Sequence, residues 1–366
     1  MSFILKKTGE AEPITTTTTI SPFFNLNIGG GSIPSGGFSI FYNSPDSGDN
    51  WSLTQSSTSP EFFILSMDFF DKNFGIAGGF SGTIFTTTNG GLNWTRRGVI
   101  SSPIHPDATN DFNVISVVDG FTMYLFNSPT INSGSNLFKT TNAGNTFTKV
   151  GGTLDNKITG IHIFDEDNIV VVADNGYGNE DRLLKSTDGG VTFVGKVSSG
   201  ETNNNFRDVT FNANRGFAVG TNGTFWESSN FGDSWVDRTG DLPINFNTTI
   251  NSIYIKFISL DEVIIVGQYA GGIGVLKSIN RGTSWVDISS PARSAQLGNG
   301  FVTSSDWFDE DNGWILLSNG EVLKTENGGA SWSSTLIDLS RNYNSSVNVI
   351  SVAPKINLST SETESS

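Results

Sequence analysis

One short phrase recurs seven times along the chain and limits its fold more strictly than any other feature. The phrase reads Ser/Thr-x-Asp/Asn-x-Gly-x-polar-Trp/Phe, and we call each copy a box. The boxes begin at Ser44, Thr87, Thr140, Ser186, Ser228, Ser278 and Thr325. They recur at intervals of roughly 40 to 55 residues, which is the length of a four-stranded propeller blade. The sequence therefore predicts an all-β protein, a seven-bladed β-propeller with four antiparallel strands in each blade.

The composition of the box is typical of a tight turn between two antiparallel strands. Its Gly is expected at a positive φ, a conformation that most side chains disfavour. The Asp or Asn two residues earlier has a short polar side chain that accepts hydrogen bonds from nearby backbone amides. The closing Trp or Phe begins the next strand and buries a large ring between blades. No part of the box needs a ligand, so we interpret it as structural.

The phrase resembles the Asp-box of the bacterial neuraminidase repeat (BNR) family, over roughly residues 38–332. The order of strands and turns in the blades is similar to that of single-ring propellers related to photosystem II stability factors, a likeness of blade pattern that implies no photosynthetic role. The resemblance implies that each box lies between the third and fourth strands, away from the functional face. The structural box positions are Asp46, Asn89, Asn142, Asp188, Asn230, Asn280 and Asn327.

The two ends of the chain are expected to complete one domain. We predict an extended or flexible N-terminal arm at residues 1–20, the propeller at residues 21–358 and a polar tail at residues 359–366. The sequence before the first box supplies only part of a blade, and residues 347–352 supply a further strand. We expect this C-terminal strand to pair with the N-terminal blade and close the ring, because closure removes exposed sheet edges. The arm is a candidate for docking onto a partner.

Charge and residue usage exclude several classes of function. The net charge of −15 at pH 7 argues against nucleic acid and anionic membranes as partners, because phosphate groups are bound by concentrated Lys and Arg. The chain has no cysteine, which excludes disulfides and thiol chemistry. No apolar run is long enough for membrane insertion, and the N-terminus lacks the apolar segment of a cleavable signal peptide. A virion or cytoplasmic location fits these features, and the sequence does not identify the compartment.

No catalytic set is recognisable, and we predict neither a cofactor nor a metal. Two acidic clusters, at residues 165–168 and 309–313, have the oxygen atoms that calcium binds but lack the spacing of a calcium loop, so we interpret them as solvated turns. The histidines His105 and His162 lack the spacing of metal ligands. A sialidase, which the resemblance would allow, needs a cluster of arginines. The nearest match to its Arg-bearing phrase, at residues 206–209, lies in the wrong blade.

Candidate ligand-binding residues are expected on the face opposite the boxes, where irregular loops are held on a rigid scaffold. The alternative is that these loops only connect the strands. The charged and aromatic candidates are Arg97, His105, Asp107, Tyr177, Glu180, Arg182, Tyr269, Arg293, Arg341 and Tyr343.

The sequence favours a non-enzymatic recognition or structural propeller that binds protein partners in a larger assembly or a surface glycan. A phage virion or tail component is the form that we predict. Two alternatives remain open: a glycan-active, sialidase-like hydrolase, and an assembly factor for a protein complex. The hydrolase would need two carboxylates about 5 to 9.5 Å apart on the loop-bearing face.

Overall fold

The computed structural model contains seven four-stranded antiparallel sheets, one for each box. The structure describes residues 24–32, 39–56, 63–99, 111–128, 134–155, 157–174, 182–196, 205–243, 245–246, 250–269, 272–339 and 345–353. These residues are almost entirely strands and turns, with one short helix, α1 (Ser289–Ala295), after the sixth sheet. The prediction of a seven-bladed, all-β propeller is therefore confirmed.

Each sheet is one blade, and we number the blades in chain order. Blade 1 contains β1 (Asn25–Ser32), β2 (Ser39–Ser44), β3 (Ser52–Ser56) and β28 (Ser345–Ala353). Blade 2 contains β4 (Ile64–Phe69), β5 (Gly75–Gly79), β6 (Thr83–Thr87) and β7 (Thr95–Val99). Blade 3 contains β8 (Asp111–Val117), β9 (Met123–Ser128), β10 (Ser135–Thr140) and β11 (Thr148–Leu154). Blade 4 contains β12 (Lys157–Ile163), β13 (Ile169–Asp174), β14 (Leu183–Ser186) and β15 (Val194–Gly195).

The remaining three blades follow the same order. Blade 5 contains β16 (Phe206–Asn212), β17 (Arg215–Gly220), β18 (Phe225–Ser228) and β19 (Val236–Asp237). Blade 6 contains β20 (Asn251–Phe257), β21 (Val263–Tyr269), β22 (Gly272–Ser278) and β23 (Val286–Asp287). Blade 7 contains β24 (Val302–Trp307), β25 (Asn312–Leu317), β26 (Glu321–Glu326) and β27 (Ser333–Leu336).

Blade 1 combines strands from both ends of the chain. β28 pairs antiparallel with β1, from Asn25 opposite Ala353 to Ser32 opposite Ser345. The strand order β28-β1-β2-β3 gives β28 the position that β4, β8 and their equivalents hold in the other blades. We call these seven strands the inner strands. The pairing that the sequence predicts between the C-terminal segment and the N-terminal blade is therefore present.

Blade 7 packs directly against blade 1. The indole Nε1 of Trp314 donates a hydrogen bond to the Ser47 carbonyl oxygen at 2.9 Å. Lys324 Nζ lies 2.8 Å from Asp49 Oδ1, and Tyr42 Oη donates to the Asp338 carbonyl oxygen at 3.1 Å. The last blade in sequence thus contacts the first through both polar and aromatic side chains.

The hydrophobic core is divided into clusters, and the largest of them lie between neighbouring blades. One cluster joins Leu26 and Ile28 of blade 1 to Trp314 and Leu316 of blade 7. A second joins residues of blades 5 and 6, including Phe217 and Ile265. Because both faces of a blade are covered by its neighbours, the second and third strands are buried along their whole length instead of alternating between core and solvent. Each buried large side chain contributes about 1.5 to 3 kcal/mol.

The boxes form the turns between the third and fourth strands, as the resemblance implies. In every box the Asp or Asn Oδ1 accepts a hydrogen bond from the backbone N–H four residues later, at 2.8 to 3.0 Å. The Ser or Thr hydroxyl accepts one from the box Gly N–H, at 2.8 to 3.2 Å. The box glycines have φ between 77° and 93°. Asp and Asn supply the same acceptor atom, which explains why the two residues interchange.

In blades 2 to 7 each box turn lies against the turn between the first and second strands of its own blade, and in blade 1 the box turn lies against Phe24, directly before β1. Gly90 N–H donates to the Asn73 carbonyl oxygen at 2.8 Å, and Gly328 N–H donates to the Asp311 carbonyl oxygen at 2.9 Å. We call the surface formed by these two sets of turns the box face. The opposite surface, formed by the second-to-third-strand turns and the linkers between blades, is the loop face.

The two acidic clusters lie in first-to-second-strand turns. Asp165 Oδ1 accepts from the Asp167 and Asn168 N–H groups at 2.9 and 2.8 Å. Asp309 Oδ1 accepts in the same way from the Asp311 and Asn312 N–H groups. These carboxylates close their own turns. Within the described parts of the chain, no group of three or more His, Asp or Glu side chains is arranged to hold a metal ion.

Candidate functional site

A cavity of about 280 Å³ lies at the centre of the ring, lined by residues of all seven inner strands. Its wall includes hydroxyl groups of Ser66, Thr159 and Ser304, the phenol of Tyr254 and the guanidinium-bearing Arg207. The cavity is large enough for many water molecules or for a small organic molecule.

Every inner strand contains an irregularity at the same place, near its loop-face end. The pairing with the second strand shifts there, which leaves one unpaired residue in each inner strand: Leu65, Asn113, Thr159, Arg207, Ile253, Thr303 and Asn348. Asn113 Nδ2 donates to the Ile158 carbonyl oxygen of the next inner strand at 2.8 Å, and Thr159 Oγ1 donates to the Phe206 carbonyl oxygen at 2.9 Å. The polar bulge residues therefore connect adjacent blades around the cavity.

Aspartates of three inner strands make a second set of connections between blades. Asp208 Oδ2 accepts from the Ile255 N–H at 2.9 Å, and Asp306 Oδ2 accepts from the Val352 N–H at 3.0 Å. Asp68 accepts from the next blade in the same way. Asp208 and Asp306 line the cavity. Their oxygens are engaged in holding the ring together, which is a structural use of both carboxylates.

Tyr254 lies beside Asp306, and its phenol remains protonated. Burial raises the pKa of Tyr254 well above its ordinary value, and the nearby carboxylates of Asp306 and Asp208 raise it further. The phenol donates to Asp306 Oδ1 at 3.2 Å. Lys256 Nζ lies 2.7 Å from the same oxygen. The cavity wall therefore holds a neutral phenol that is hydrogen-bonded to a carboxylate paired with Lys256.

A charged cluster lies at the loop-face end of the cavity, between blades 4 and 5. Arg207 Nη1 forms an ion pair with Asp174 Oδ2 at 2.8 Å. Arg182 is buried close to the same carboxylate; burial lowers the pKa of its guanidinium, while Asp174 opposes that shift. Of the predicted site residues, Arg182 thus lies near the ion pair of Arg207 and Asp174.

The structure also brings two predicted site residues, Tyr269 and Arg293, into contact. Tyr269 is at the end of β21, and Arg293 is in α1, on the linker between blades 6 and 7. The guanidinium of Arg293 donates to Tyr269 Oη, and its carbon lies 5.3 Å from the centre of the ring. The other side of Tyr269 packs on the buried Phe246, with ring centres 4.9 Å apart. The tyrosine therefore connects two interblade linkers on the loop face.

The linker that follows α1 exposes two large apolar side chains beside this pair. Leu297 is 72% exposed and Phe301 is 59% exposed. The backbone between them is fixed, because the Leu297 and Gly298 N–H groups donate to the buried carboxylate of Glu321 at 2.5 and 3.2 Å. We define Tyr269, Arg293, Leu297 and Phe301 as the loop-face patch. It combines an aromatic ring, a cation and apolar surface, which are enriched where proteins bind proteins.

Arg97 was expected in a loop on the loop face, but the structure places it in a strand. It belongs to β7, the outer strand of blade 2. Its Nη1 donates to Oδ1 of Asn145, a residue of the box turn in blade 3, at 3.3 Å. The reason is that β7 begins one residue after the box, so the strand includes positions that the sequence assigned to the following loop. The predicted site residues that lie outside the described residues are His105, Asp107, Tyr177, Glu180, Arg341 and Tyr343.

His162 packs between aromatic rings of blades 4 and 5. Its ring centre lies 4.8 Å from that of Phe164 and 5.2 Å from that of Phe211. Burial lowers the pKa of His162 to about 4, because this environment does not solvate an imidazolium ion. The histidine is therefore a neutral packing residue at pH 7.

Acidification is expected to destabilise the fold through His162. The unfolded histidine has a pKa of about 6.5, so between that value and about 4 the unfolded chain binds a proton that the folded chain does not. The free energy of unfolding should fall by about 2 kcal/mol between pH 7 and pH 5 from this residue alone. Urea unfolding at both pH values should show that difference in the natural protein and a smaller one in His162→Phe. An equal loss in both proteins would contradict this account.

Residues 195–297, which include blades 5 and 6, match a family model described as Photosynthesis system II assembly factor YCF48. A curated relative, the Photosystem II assembly lipoprotein Ycf48 of Synechococcus sp. (strain CC9902), is 29% identical over 140 residues. That match covers 38% of this chain and 39% of the relative, so it spans about two fifths of the relative's length. The matches support a BNR-type propeller more directly than a relationship to neuraminidases.

Solved structures share the propeller fold at low sequence identity. A structure described as YCF48 bound to D1 peptide has a TM-score of 0.55 and 16% identity, covering 77% of this chain and 84% of that chain. YCF48 from Cyanidioschyzon merolae has a TM-score of 0.57 and 15% identity, with coverage of 84% and 97%. The GH74 xyloglucanase from Xanthomonas campestris has a TM-score of 0.60 and 14% identity, with coverage of 76% and 46%. At these identities the likeness shows the fold alone.

These comparisons favour the assembly-factor alternative. The family model and the curated relative both carry that description, whereas neither supports the predicted virion component or a glycan ligand. Among the described residues, no helix is long and apolar enough to cross a membrane.

Sequence reasoning missed the exposed Leu297 and Phe301 and the structural use of Asp68 and Asp306. A signal for the aspartates exists, because both directly precede an aromatic residue at the end of an inner strand. No comparable signal marks Leu297, whose backbone N–H is bound by Glu321 of the next blade while its side chain is exposed.

Proposed function

We propose that this protein binds a partner protein during the assembly of a multiprotein complex, as a rigid propeller without catalytic activity. The observation that carries the proposal is the match of residues 195–297 to an assembly-factor family. The same segment contains Tyr269, Arg293 and Leu297 of the loop-face patch. A structural relative described as bound to a D1 peptide supports a polypeptide as the kind of ligand.

The loop-face patch is the contact surface that we propose. Leu297 and Phe301 offer apolar area that the chain itself leaves uncovered. Arg293 and Tyr269 are held in place by their mutual contact and by Phe246, so little side-chain entropy is lost when a partner binds. An apolar side chain of the partner would pack on Leu297 and Phe301.

Substitution of the exposed apolar pair should release the partner without unfolding the propeller. Affinity capture from the source cells, with crosslinking and mass spectrometry, is expected to recover subunits of one complex with the natural protein. Leu297→Ser/Phe301→Ser should reduce that recovery by about fivefold or more, because truncation of a central apolar contact typically costs over 1 kcal/mol. Both proteins should have the same thermal midpoint, since the altered side chains are exposed.

A matched control uses Val194→Ser/Val286→Ser, which removes similarly exposed apolar side chains from the outer strands of blades 4 and 6. The control should recover the complex as the natural protein does. Failure to recover any common complex, or equal recovery with the loop-face variant, would reject the proposal. Hydrolysis of sialyl or other glycosides that is lost in Glu180→Gln or Asp107→Asn would favour the hydrolase alternative instead.

A further inference from the structure

The box face carries most of the acidic side chains that the described turns expose. The carboxylates in its turns are Asp46, Asp49, Asp71, Asp119, Asp165, Glu166, Asp167, Asp188, Asp233, Asp261, Glu262, Asp309, Glu310, Asp311 and Glu326, and the cations in the same turns are Lys72, Arg215 and Arg281. Hydrogen bonds within the turns lower the pKa of Asp188, with the Thr192 hydroxyl as the largest contribution. The face is therefore strongly negative at neutral pH.

Lysines on third strands neutralise part of this charge. Lys139 pairs with Glu166 at 3.8 Å, Lys185 with Asp233 at 3.0 Å and Lys324 with Asp49 at 2.8 Å, each in a turn of the next blade. Lys277 pairs with Glu262 at 2.7 Å in its own blade. Each of these lysines directly precedes a box. The carboxylates that close the first-to-second-strand turns, such as Asp309, accept backbone N–H groups and keep their negative charge. The face thus retains an excess of anions over cations.

The same face exposes large apolar side chains, which we call the box-face apolar residues. They are Phe70, Leu92, Phe121, Val191, Phe231, Leu260 and Ile279. Several of them lie close to another apolar side chain. The Phe70 ring lies 3.7 Å from the position of a Cβ on Gly120, directly before Phe121, and the Phe231 ring lies 5.7 Å from the half-buried ring of Phe164. Leu260 and Ile279 lie in the two turns that the Arg281 N–H to Asp261 carbonyl hydrogen bond joins.

Grouped apolar side chains on an exposed face are what binding surfaces of soluble proteins present, whereas single ones are ordinary. The surrounding charge decides which partner fits. A negative rim repels phosphate backbones and anionic lipid surfaces and attracts Lys and Arg. Alternating apolar and cationic side chains on one polypeptide segment would satisfy both features of the face.

We propose that the box face is a second contact surface, and that it binds a basic amphipathic segment of a partner protein. This surface lies on the opposite side of the ring from the loop-face patch. One propeller could then hold two polypeptides at once. The inference does not depend on the loop-face patch, because its evidence comes from different residues.

A synthetic peptide of Lys and Leu arranged as an amphipathic helix is a suitable probe for this surface. Its affinity for the full chain would be measured by fluorescence anisotropy at low and at physiological ionic strength. The test variant is Phe121→Ser/Leu260→Ser/Ile279→Ser, whose side chains are 66%, 58% and 67% exposed. The control is Val194→Ser/Val286→Ser/Leu336→Ser on the outer strands, whose side chains are 58%, 61% and 61% exposed.

The test variant is expected to bind the peptide about fivefold more weakly or worse, while the control changes affinity by less than about twofold. A matching peptide of Glu and Leu should not bind, and salt should weaken the Lys peptide. Equal losses of affinity in both variants would reject the proposal. An undiminished affinity in the test variant would also reject it, because the peptide would then be held by ionic attraction without an apolar contact. Binding of the Glu peptide would also reject it.

Discussion

Deletion of residues 345–366 is expected to abolish the cooperative folding of this protein. The deletion removes β28, the inner strand of blade 1, and with it the buried side chains of Ile350 and Val352. These side chains belong to the cluster that blades 1 and 7 share. The lost burial, at about 1.5 to 3 kcal/mol for each large side chain, and the lost strand pairing are comparable with the whole stability of a typical domain.

The deletion also exposes β1 as a sheet edge and leaves polar groups of both neighbouring blades without partners. Asn348 Nδ2 donates to the Ile64 carbonyl oxygen of blade 2 at 3.1 Å, and Val352 N–H donates to Asp306 of blade 7. Exposed edges promote aggregation. Circular dichroism during heating, together with size-exclusion chromatography, should show no cooperative transition and a high-mass species.

Deletion of residues 359–366 alone is the control for this experiment, because it retains β28. That shorter deletion should unfold at the same temperature as the full chain. A cooperative transition within a few degrees of the full chain in the longer deletion would show that β28 is dispensable. It would also overturn the view that the C-terminal strand completes blade 1.

Substitution Asp306→Ala is expected to have the largest effect of any single exchange in the ring. The carboxylate accepts hydrogen bonds from the Trp307 N–H at 2.9 Å and the Val352 N–H at 3.0 Å. It also pairs with Lys256 at 2.7 Å and accepts from the Tyr254 phenol. Removing one partner of a buried ion pair leaves the other charge uncompensated, which costs about 3 to 5 kcal/mol. Urea unfolding would measure the loss.

Two further variants distinguish the effect of an uncompensated buried charge from a general loss of stability on substitution. Asp306→Asn/Lys256→Met removes both charges and should recover part of the stability that Asp306→Ala loses. Asp167→Ala removes an exposed carboxylate on a turn and should change stability by less than about 0.5 kcal/mol. If Asp306→Ala remains within about 1 kcal/mol of the natural protein, the carboxylate is not the interblade connection that its contacts indicate.

The boxes made the fold predictable because each one is local. A Gly at positive φ, an Asx acceptor and a hydroxyl complete their hydrogen bonds within seven consecutive residues, as the box from Ser278 to Ser284 shows. The repeat interval then gives the number of strands in each blade. The pairing of residues 347–352 with the first blade followed from counting strands, which requires only that every blade be complete.

The candidate site was less predictable because it joins residues that are far apart in sequence. Tyr269 and Arg293 were both candidates, but nothing in their spacing shows that α1 brings the guanidinium to the phenol. Arg97 was assigned to a loop, and the structure places it in β7 beside the next box. The backbone at Leu297 is held by a carboxylate, Glu321, that lies in the following blade.

The sequence by itself determined the number of blades, the turn that each box forms and the chemistry of those turns, because backbone conformation and short-range hydrogen bonds are encoded within a few residues. Only the tertiary structure decided which polar groups face the central cavity, which carboxylates join blades and which apolar side chains stay exposed. Those outcomes depend on how neighbouring blades pack, and packing brings together side chains such as Tyr254 and Asp306 whose distance along the chain carries no information about their contact.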